Sequence, residues 1–275
     1  MSIKDKKMSY SVAFLLDKLH GKNIKCFSTE DAYKLLEESS KDSVKRMLGK
    51  MVKRGLLMRV KDGLYYIIPF EQDAKTFMPD WHLLSQYLVG DANYYIGYFS
   101  ALQIHSLTTQ PNLKEQIVVS KQIKPSILKV KDIPFQFIYH NKDHFFGSKK
   151  TWIDSFNKVQ CSDLEKTFID CLFKPAYAGG ITEITKAIHK SKDKIDYNKL
   201  YDYAVQFKSQ AVIKRLGFLL ELLDIKHPMI EQLQKLRTNS FVLIEPSHPK
   251  EGKTIFRWAI QQNMDNDSIL SPIYS

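Results

Sequence analysis

The sequence predicts an α+β chain in two parts. Residues 1–70 form an N-terminal domain of three helices and a hairpin, and residues 80–275 form a mixed α/β domain with strands early and helices late. Three observations predict this. Residues 42–54 place apolar side chains at Val44, Met47, Leu48, Met51 and Val52, the spacing of one buried helical stripe. Two short apolar runs, 56–61 and 64–68, flank Asp62-Gly63. Asp-Gly between such runs signals a hairpin, because a type I′ turn needs positive φ at both central residues. Beyond a mixed stretch that opens on Pro69 and closes on Pro79, the period changes to strands and then to helices. A length of 275 residues suits about two domains.

In the first domain, residues 9–20 read as a helix with Val12, Leu15, Leu16 and Leu19 on one stripe, ended by Gly21. Residues 27–38 read as a second, with Ser28 as N-cap, Asp31 three residues on, and Ala32, Leu35 and Leu36 facing the core. A short turn leads into the third helix, and Gly55 follows it where a C-terminus favours a left-handed residue. The polar face of that third helix carries Ser43, Lys45, Arg46, Gly49, Lys50, Lys53 and Arg54, and the hairpin adds Arg59 and Lys61. From Lys41 to Lys61 there are eight basic residues and one acid, Asp42. A basic-faced helix followed directly by a basic-tipped hairpin is the arrangement of a winged helix-turn-helix, whose helix enters the major groove of DNA while the wing follows the backbone. On that reading Ser43, Lys45, Arg46 and Lys50 reach base edges, with Arg46 best suited to guanine. Lys41, Lys53, Arg54, Arg59 and Lys61 meet phosphates. The plain alternative is a solvated helix face.

In the second part, residues 81–89 and 94–105 read as helices, and 115–120, 133–140, 145–153 and 158–161 as strands. A helix over 164–173, capped by Ser162 or Asp163, stops before Pro175. Gly179-Gly180 punctuates, and helices follow over 182–190, 196–207, 210–223 and 228–237. The 210–223 segment is the most apolar, with Leu216, Leu219, Leu220 and Leu223 as core. A short strand is expected over 241–244, and residues 263–275 are expected to be loose.

A net charge of +11 and a pI near 9.3 point to a polyanionic partner, nucleic acid ahead of a membrane surface. No apolar run approaches the roughly 18 residues of a membrane span, and residues 1–8 lack an apolar signal core. Cys26, Cys161 and Cys171 are widely spaced with no CxxC pair, which fits a reducing cytoplasm. No dinucleotide fingerprint, P-loop, HExxH or GxSxG motif is present, so no cofactor is expected. His140 and His144 fall in a loop and not on a metal-binding helix. Asp163, Glu165, Lys166 and Asp170 pair carboxylates with a lysine, as a Mg²⁺-dependent nuclease does; Asp163 as N-cap, with Glu165 and Lys166 on the wet face, accounts for them equally. Lys214 and Arg215 either snorkel or form a second basic site.

Four phrases carry a further resemblance: Ser100-Ala-Leu-Gln-Ile-His-Ser-Leu-Thr-Thr-Gln110, Ser162-Asp-Leu-Glu-Lys-Thr-Phe-Ile-Asp-Cys-Leu172, Tyr177-Ala-Gly-Gly-Ile181 and Ala211-Val-Ile-Lys-Arg-Leu-Gly-Phe-Leu-Leu-Glu221. In this order they resemble the AbiE-type (AbiEi) antitoxin family of bacterial abortive-infection systems. The resemblance implies a winged helix-turn-helix that binds inverted repeats in its own promoter and represses the operon, two copies sharing the repeats. It also implies a C-terminal α/β antitoxin domain that counters a nucleotidyltransferase-like toxin, functionally and without a stable complex, as in type IV systems. It implies no catalytic residues, and the four phrases read as caps, turns and core positions. The other readings are a ligand-responsive winged-helix transcription factor with a sensing or dimerisation domain, and the Mg²⁺-dependent nuclease.

Overall fold

The apolar stripes of the first three helices converge on one core in the computed structural model of the chain, which describes residues 9–36 and 39–273. Expectations for residues 1–8, Glu37, Glu38, Tyr274 and Ser275 lie outside the described residues. Helix α1 (Tyr10–Gly21) buries Val12, Leu15 and Leu19. Strand β1 (Cys26–Ser28) leads into α2 (Thr29–Leu35), and α3 (Lys41–Lys53) buries Val44, Leu48 and Met51 against them. Ser28 works as expected: its hydroxyl accepts from the Asp31 N–H at 3.1 Å, and the Asp31 carboxylate accepts from the Ser28 N–H at 2.8 Å. The helix starts later than the sequence reading has it, because Phe27 pairs with Tyr65 in the sheet. Ser40 caps α3 through the Ser43 N–H at 3.3 Å.

Gly55 takes a φ of 70° after α3, and the chain enters the hairpin of β2 (Leu57–Lys61) and β3 (Leu64–Ile67). The turn corrects the type I′ expectation. Gly63 has a φ of 70°, but Asp62 does not take positive φ, and the register shifts between Arg59 and Lys61. One left-handed glycine with a bulge closes the hairpin without forcing an aspartate into that region. The sheet is antiparallel in the order β1-β3-β2.

The chain divides into two units. The first runs to Tyr87 and takes in Lys129–Asp132; the second is the remainder. The 69–80 stretch therefore belongs to the first unit. Phe77 packs its ring 5.9 Å from that of Tyr66, Pro79 is buried, and the Asp80 carboxylate accepts from the His82 N–H at 2.8 Å as α4 (Trp81–Leu88) begins.

A six-stranded mixed sheet is made from β4 (Tyr94–Ile96), β5 (Glu115–Val119), β6 (Ile127–Val130), β7 (Ile133–Tyr139), β8 (Ser148–Trp152) and β9 (Lys158–Ser162), all of it from the second unit except Lys129 and Val130. Its order is β6-β7-β5-β4-β9-β8. Strand β5 pairs in parallel with β7 and antiparallel with β4, β4 pairs in parallel with β9, and β8 pairs antiparallel with β9. The expected 94–105 helix is instead β4, Gly97 and α5 (Tyr98–Ile104). A continuous apolar run has no period that separates buried strand from buried helix. Gly97 marks the break, since a Cβ there would lie 2.8 Å from the Val118 side chain.

Helices α6 (Leu164–Phe173), α7 (Gly180–Ser191), α8 (Tyr197–Phe207), α9 (Gln210–Leu222) and α10 (Met229–Leu236) follow. Every residue of α9 from Val212 to Leu220 is buried. The strand expected over 241–244 is present, shortened to 242–243, while a helix falls in the stretch 263–275 expected to be loose. Strands β10 (Val242–Leu243), β11 (Lys253–Ile255) and β12 (Ile260–Gln262) form a small sheet, and α11 (Asn266–Leu270) is capped by Asp265 and buries Ile269. The run of strands β5 to β9 precedes the run of helices α6 to α10, and the architecture is α+β.

Gly217 sits at the closest approach inside this second core, where a Cβ would overlap the buried Trp258 ring. Gly217→Ala is expected to destabilise the second unit by about 2–3 kcal/mol, because neither α9 nor the indole can retreat. A denaturant titration checks it; a change below about 0.5 kcal/mol contradicts the packing.

Candidate nucleic-acid interface

Helix α3 is one-sided. Val44, Leu48 and Met51 are fully covered, while Lys41, Ser43, Lys45, Arg46, Lys50 and Lys53 are exposed and Arg54 is partly exposed. Positions 42, 45, 46, 49, 50 and 53 recur at three- and four-residue steps, so they share the outward face. Gly49 lies on it with open space around the position a Cβ would take. On β2, Arg59 and Lys61 point outward while Met58 and Val60 are buried. All nine basic and polar positions singled out in the sequence are therefore solvent-accessible, on α3 or on the strand that leaves it.

They are not equivalent. Lys41 pairs with Glu30 at 3.3 Å and lies 5.0 Å from the Tyr33 ring centre, so α2 already holds part of its charge. Arg59 is opposite Tyr65 in the hairpin, hydrogen-bonds to it, and has its guanidinium 5.9 Å from that ring. That fixes the arginine along the strand. Arg46 makes a long bond to the Asp42 carbonyl oxygen, 3.4 Å, within its own helix. Its guanidinium keeps other donors for a ligand.

No family model matches the sequence, and no curated protein matches it. Among solved structures, the chain is similar to the crystal structure of the RV2827C protein from Mycobacterium tuberculosis. The TM-score is 0.69 at 13% identity, and the match covers 92% of each chain. At that identity the likeness speaks of fold alone.

In the second cluster singled out in the sequence, Asp163 is the expected N-cap, but its neighbours are not where the sequence reading has them. Glu165 and Lys166 are not on a wet face: Glu165 is 5% exposed, and Lys166 and Asp170 are at 0%. Asp163 caps α6 through the Lys166 N–H at 2.9 Å, accepts from the Tyr203 hydroxyl at 3.0 Å and pairs with Lys199 at 2.9 Å. Glu165 accepts from the Asp196 N–H at 3.0 Å and pairs with Lys199 at 2.8 Å. These two carboxylates tie α6 to α8. Lys166 pairs with Asp170 one turn along, and its ammonium also donates to the Tyr95 hydroxyl at 2.9 Å. Tyr95 donates in turn to Asp170 at 3.0 Å. The carboxylates are thus engaged as cap, tie and buried ion pair. Among the described residues no group of three or more His, Cys, Asp or Glu is placed to hold a metal ion.

Sequence reasoning missed the remainder of this network. His140 Nε2 lies 2.8 Å from the Tyr98 hydroxyl and Nδ1 lies 3.3 Å from that of Tyr95. With the Tyr95 proton on Asp170, Tyr98 donates to Nε2 and the imidazole carries its proton on Nδ1. Burial pushes the His140 pKa down to about 4, against the pull of Asp170, so the ring is neutral. Rings of Tyr95, Phe146 and Phe207 stand 5.0–5.2 Å from the Lys166 ammonium. The available signal was a lysine and an aspartate four apart on one helix, Lys166 and Asp170.

Lys214 and Arg215 neither snorkel nor form a basic site, being 0% and 4% exposed. Lys214 bonds to Thr238 and Ser240, and Arg215 donates to the Leu172 carbonyl oxygen at 2.7 Å and to that of Leu243 at 2.9–3.0 Å. Arg215 thus collects carbonyl oxygens near the end of α6 and on β10, and Lys214 that of Ser240. The four phrases behind the family resemblance likewise fall on junctions. Ser100 accepts from the Gln116 N–H at 2.9 Å, and His105 bonds to the Ser162 carbonyl oxygen at 2.8 Å. The Ile181 N–H at the start of α7 donates to the buried Glu245 at 2.8 Å. No helix among the described residues is long and apolar enough to cross a membrane.

Proposed function

We propose that the first unit is a winged helix-turn-helix that binds duplex DNA through α3 and the β2–β3 hairpin, and that the chain is an autoregulating antitoxin of the AbiE type. The observation that carries the DNA reading is the one-sidedness of α3: its apolar stripe closes the core and its basic face meets solvent, continued by Arg59 and Lys61. Inverted repeats in the operator then take two copies of the chain. The antitoxin reading is supported by the four phrases in order, and it makes the partner a nucleotidyltransferase-like toxin countered in function.

Arg46→Ala is expected to relax sequence preference, losing about 1–3 kcal/mol on the operator and much less on random duplex. Lys61→Ala weakens both alike and flattens the salt slope by about one unit. Titrations of both duplexes over a salt series decide this; equal losses for Arg46→Ala on both count against its base-reading role. Gly49→Ala separates fold from binding. It raises helix stability by up to about 1 kcal/mol, and the added methyl group on the DNA-facing surface weakens operator binding. A thermal melt beside a binding isotherm reads both; a variant that melts higher and binds unchanged removes Gly49 from the interface.

The toxin half is tested by co-expressing the chain with the product of a neighbouring nucleotidyltransferase-like reading frame. Growth rescue is expected, and continued arrest argues against an antitoxin. One observation favours the ligand-responsive reading as an alternative: an open groove of about 860 Å³ in the first unit, with Leu16, Ile24, Leu56, Tyr66, Phe77 and Met78 among its lining. A small molecule that shifts operator affinity would favour it.

A further inference from the structure

Strand β8 is the outermost of the six-stranded sheet, and the hairpin it makes with β9 presents side chains that duplex binding by α3 does not use. Trp152 is 57% exposed, and Phe156, in the connection between the strands, is 88% exposed. Lys150 and Lys158 are exposed beside Trp152, while Lys149, opposite the buried Cys161, is exposed on the other face. The register sets Trp152 opposite Lys158 and Lys150 opposite Gln160, so these four share one face. The Lys158 ammonium stands 4.1 Å from the Trp152 ring centre. The one acid of the hairpin, Asp154, is spent on the turn: its carboxylate accepts from the Phe156 and Asn157 N–H groups, each at 2.7 Å, and from the Asn157 side chain at 2.8 Å. That ties the connection down and leaves Phe156 at its tip.

Lysines on an edge strand discourage pairing with a second sheet. That accounts for Lys149 and Lys150 but not for a tryptophan and a phenylalanine left in water beside them. The pairing of bare rings with cations calls for a ligand that presents flat apolar faces and negative charges in turn.

We infer that this hairpin binds single-stranded nucleic acid, with bases stacked on Trp152 and Phe156 and phosphates held by Lys150 and Lys158. An unpaired strand offers both features on one chain. A duplex hides its base faces, and an anionic membrane has phosphates but no rings to stack. The site is separate from α3 and stands whether or not α3 binds duplex.

The test uses the full chain with fluorescein-labelled 12-nucleotide oligo(dT) and oligo(U), read by anisotropy, beside a duplex of the same length. Trp152→Ala and Phe156→Ala are each expected to weaken strand binding about tenfold with duplex binding unchanged, and Trp152→Phe to restore most of the loss. Lys150→Ala with Lys158→Ala should lower the salt slope for the strand by about 1.4. A chain with Lys45, Arg46 and Lys50 changed to Glu should still bind the strand through the hairpin, so failure of the α3 reading is seen separately. All the hairpin positions are exposed, and a thermal melt checks that the variants fold. The inference is overturned if the ring variants bind the strand as tightly as the unaltered chain. It is equally overturned if the chain prefers phosphatidylserine vesicles to the strand and the same variants abolish that binding.

Discussion

Asp170→Ala is expected to destabilise the second unit by about 3–5 kcal/mol, more than Gly217→Ala. The reason is Lys166. Its ammonium has no water to fall back on, at 0% exposure, and among the described residues Asp170 supplies the only negative charge bonded to it. Tyr95 accepts from it but carries no charge to balance it. Burial already holds the Lys166 pKa below its ordinary value, with Asp170 opposing the shift, so removing the carboxylate leaves an unpaired ion among Tyr95, Phe146 and Phe207. Replacing both partners, Lys166→Met with Asp170→Leu, should recover most of the loss, since a buried pair is often matched by apolar residues of similar volume. A denaturant titration of the three chains tests this. A loss below about 1 kcal/mol for Asp170→Ala contradicts the ion pair.

The same network gives stability a sign with pH. His140 has a folded pKa of about 4 against an ordinary value near 6.5. The unfolded chain binds the extra proton first, so this contribution is complete above about pH 6.5 and is lost as pH falls towards 4.

The first unit was legible because its cues are local. Ser28, Gly55 and the stripe Val44–Leu48–Met51 each act within a few residues, and the structure places them as capping and periodicity require. The turn at Asp62-Gly63 was read as a hairpin correctly but as the wrong type, because Asp-Gly also serves a single left-handed glycine with a bulge. The second unit was legible where alternation was clean, as in β7, and where caps were strong, as at Asp163. It failed where polarity misleads. Lys166, Lys214 and Arg215 look like surface residues in sequence, and their partners lie far along the chain or on another element. Segment 94–105 failed for the opposite reason, since uniform burial erases the period that tells strand from helix. Of the closing elements β10 was legible, while β11, β12 and α11 are too short to leave a pattern. The basic face of α3 was visible from sequence because its charges and its apolar stripe occupy one helix.

The second large effect is expected from reversing three charges on that face. Lys45, Arg46 and Lys50 changed together to Glu remove three cations and place three anions opposite phosphate, and binding to operator duplex should fall by about 10³-fold or more. All three side chains are exposed, so the fold has no stake in them and the thermal melt should stay within a degree or two. The salt dependence carries the most information, because each phosphate contact contributes about −0.9 to the slope of log K against log salt. The decisive measurement is the isotherm of the full chain and of this triple variant on duplex from its own promoter, repeated from low to physiological salt. The account predicts tight, steeply salt-dependent binding for the unaltered chain and near-complete loss for the variant. Equal affinity and equal slope for the two chains would contradict it.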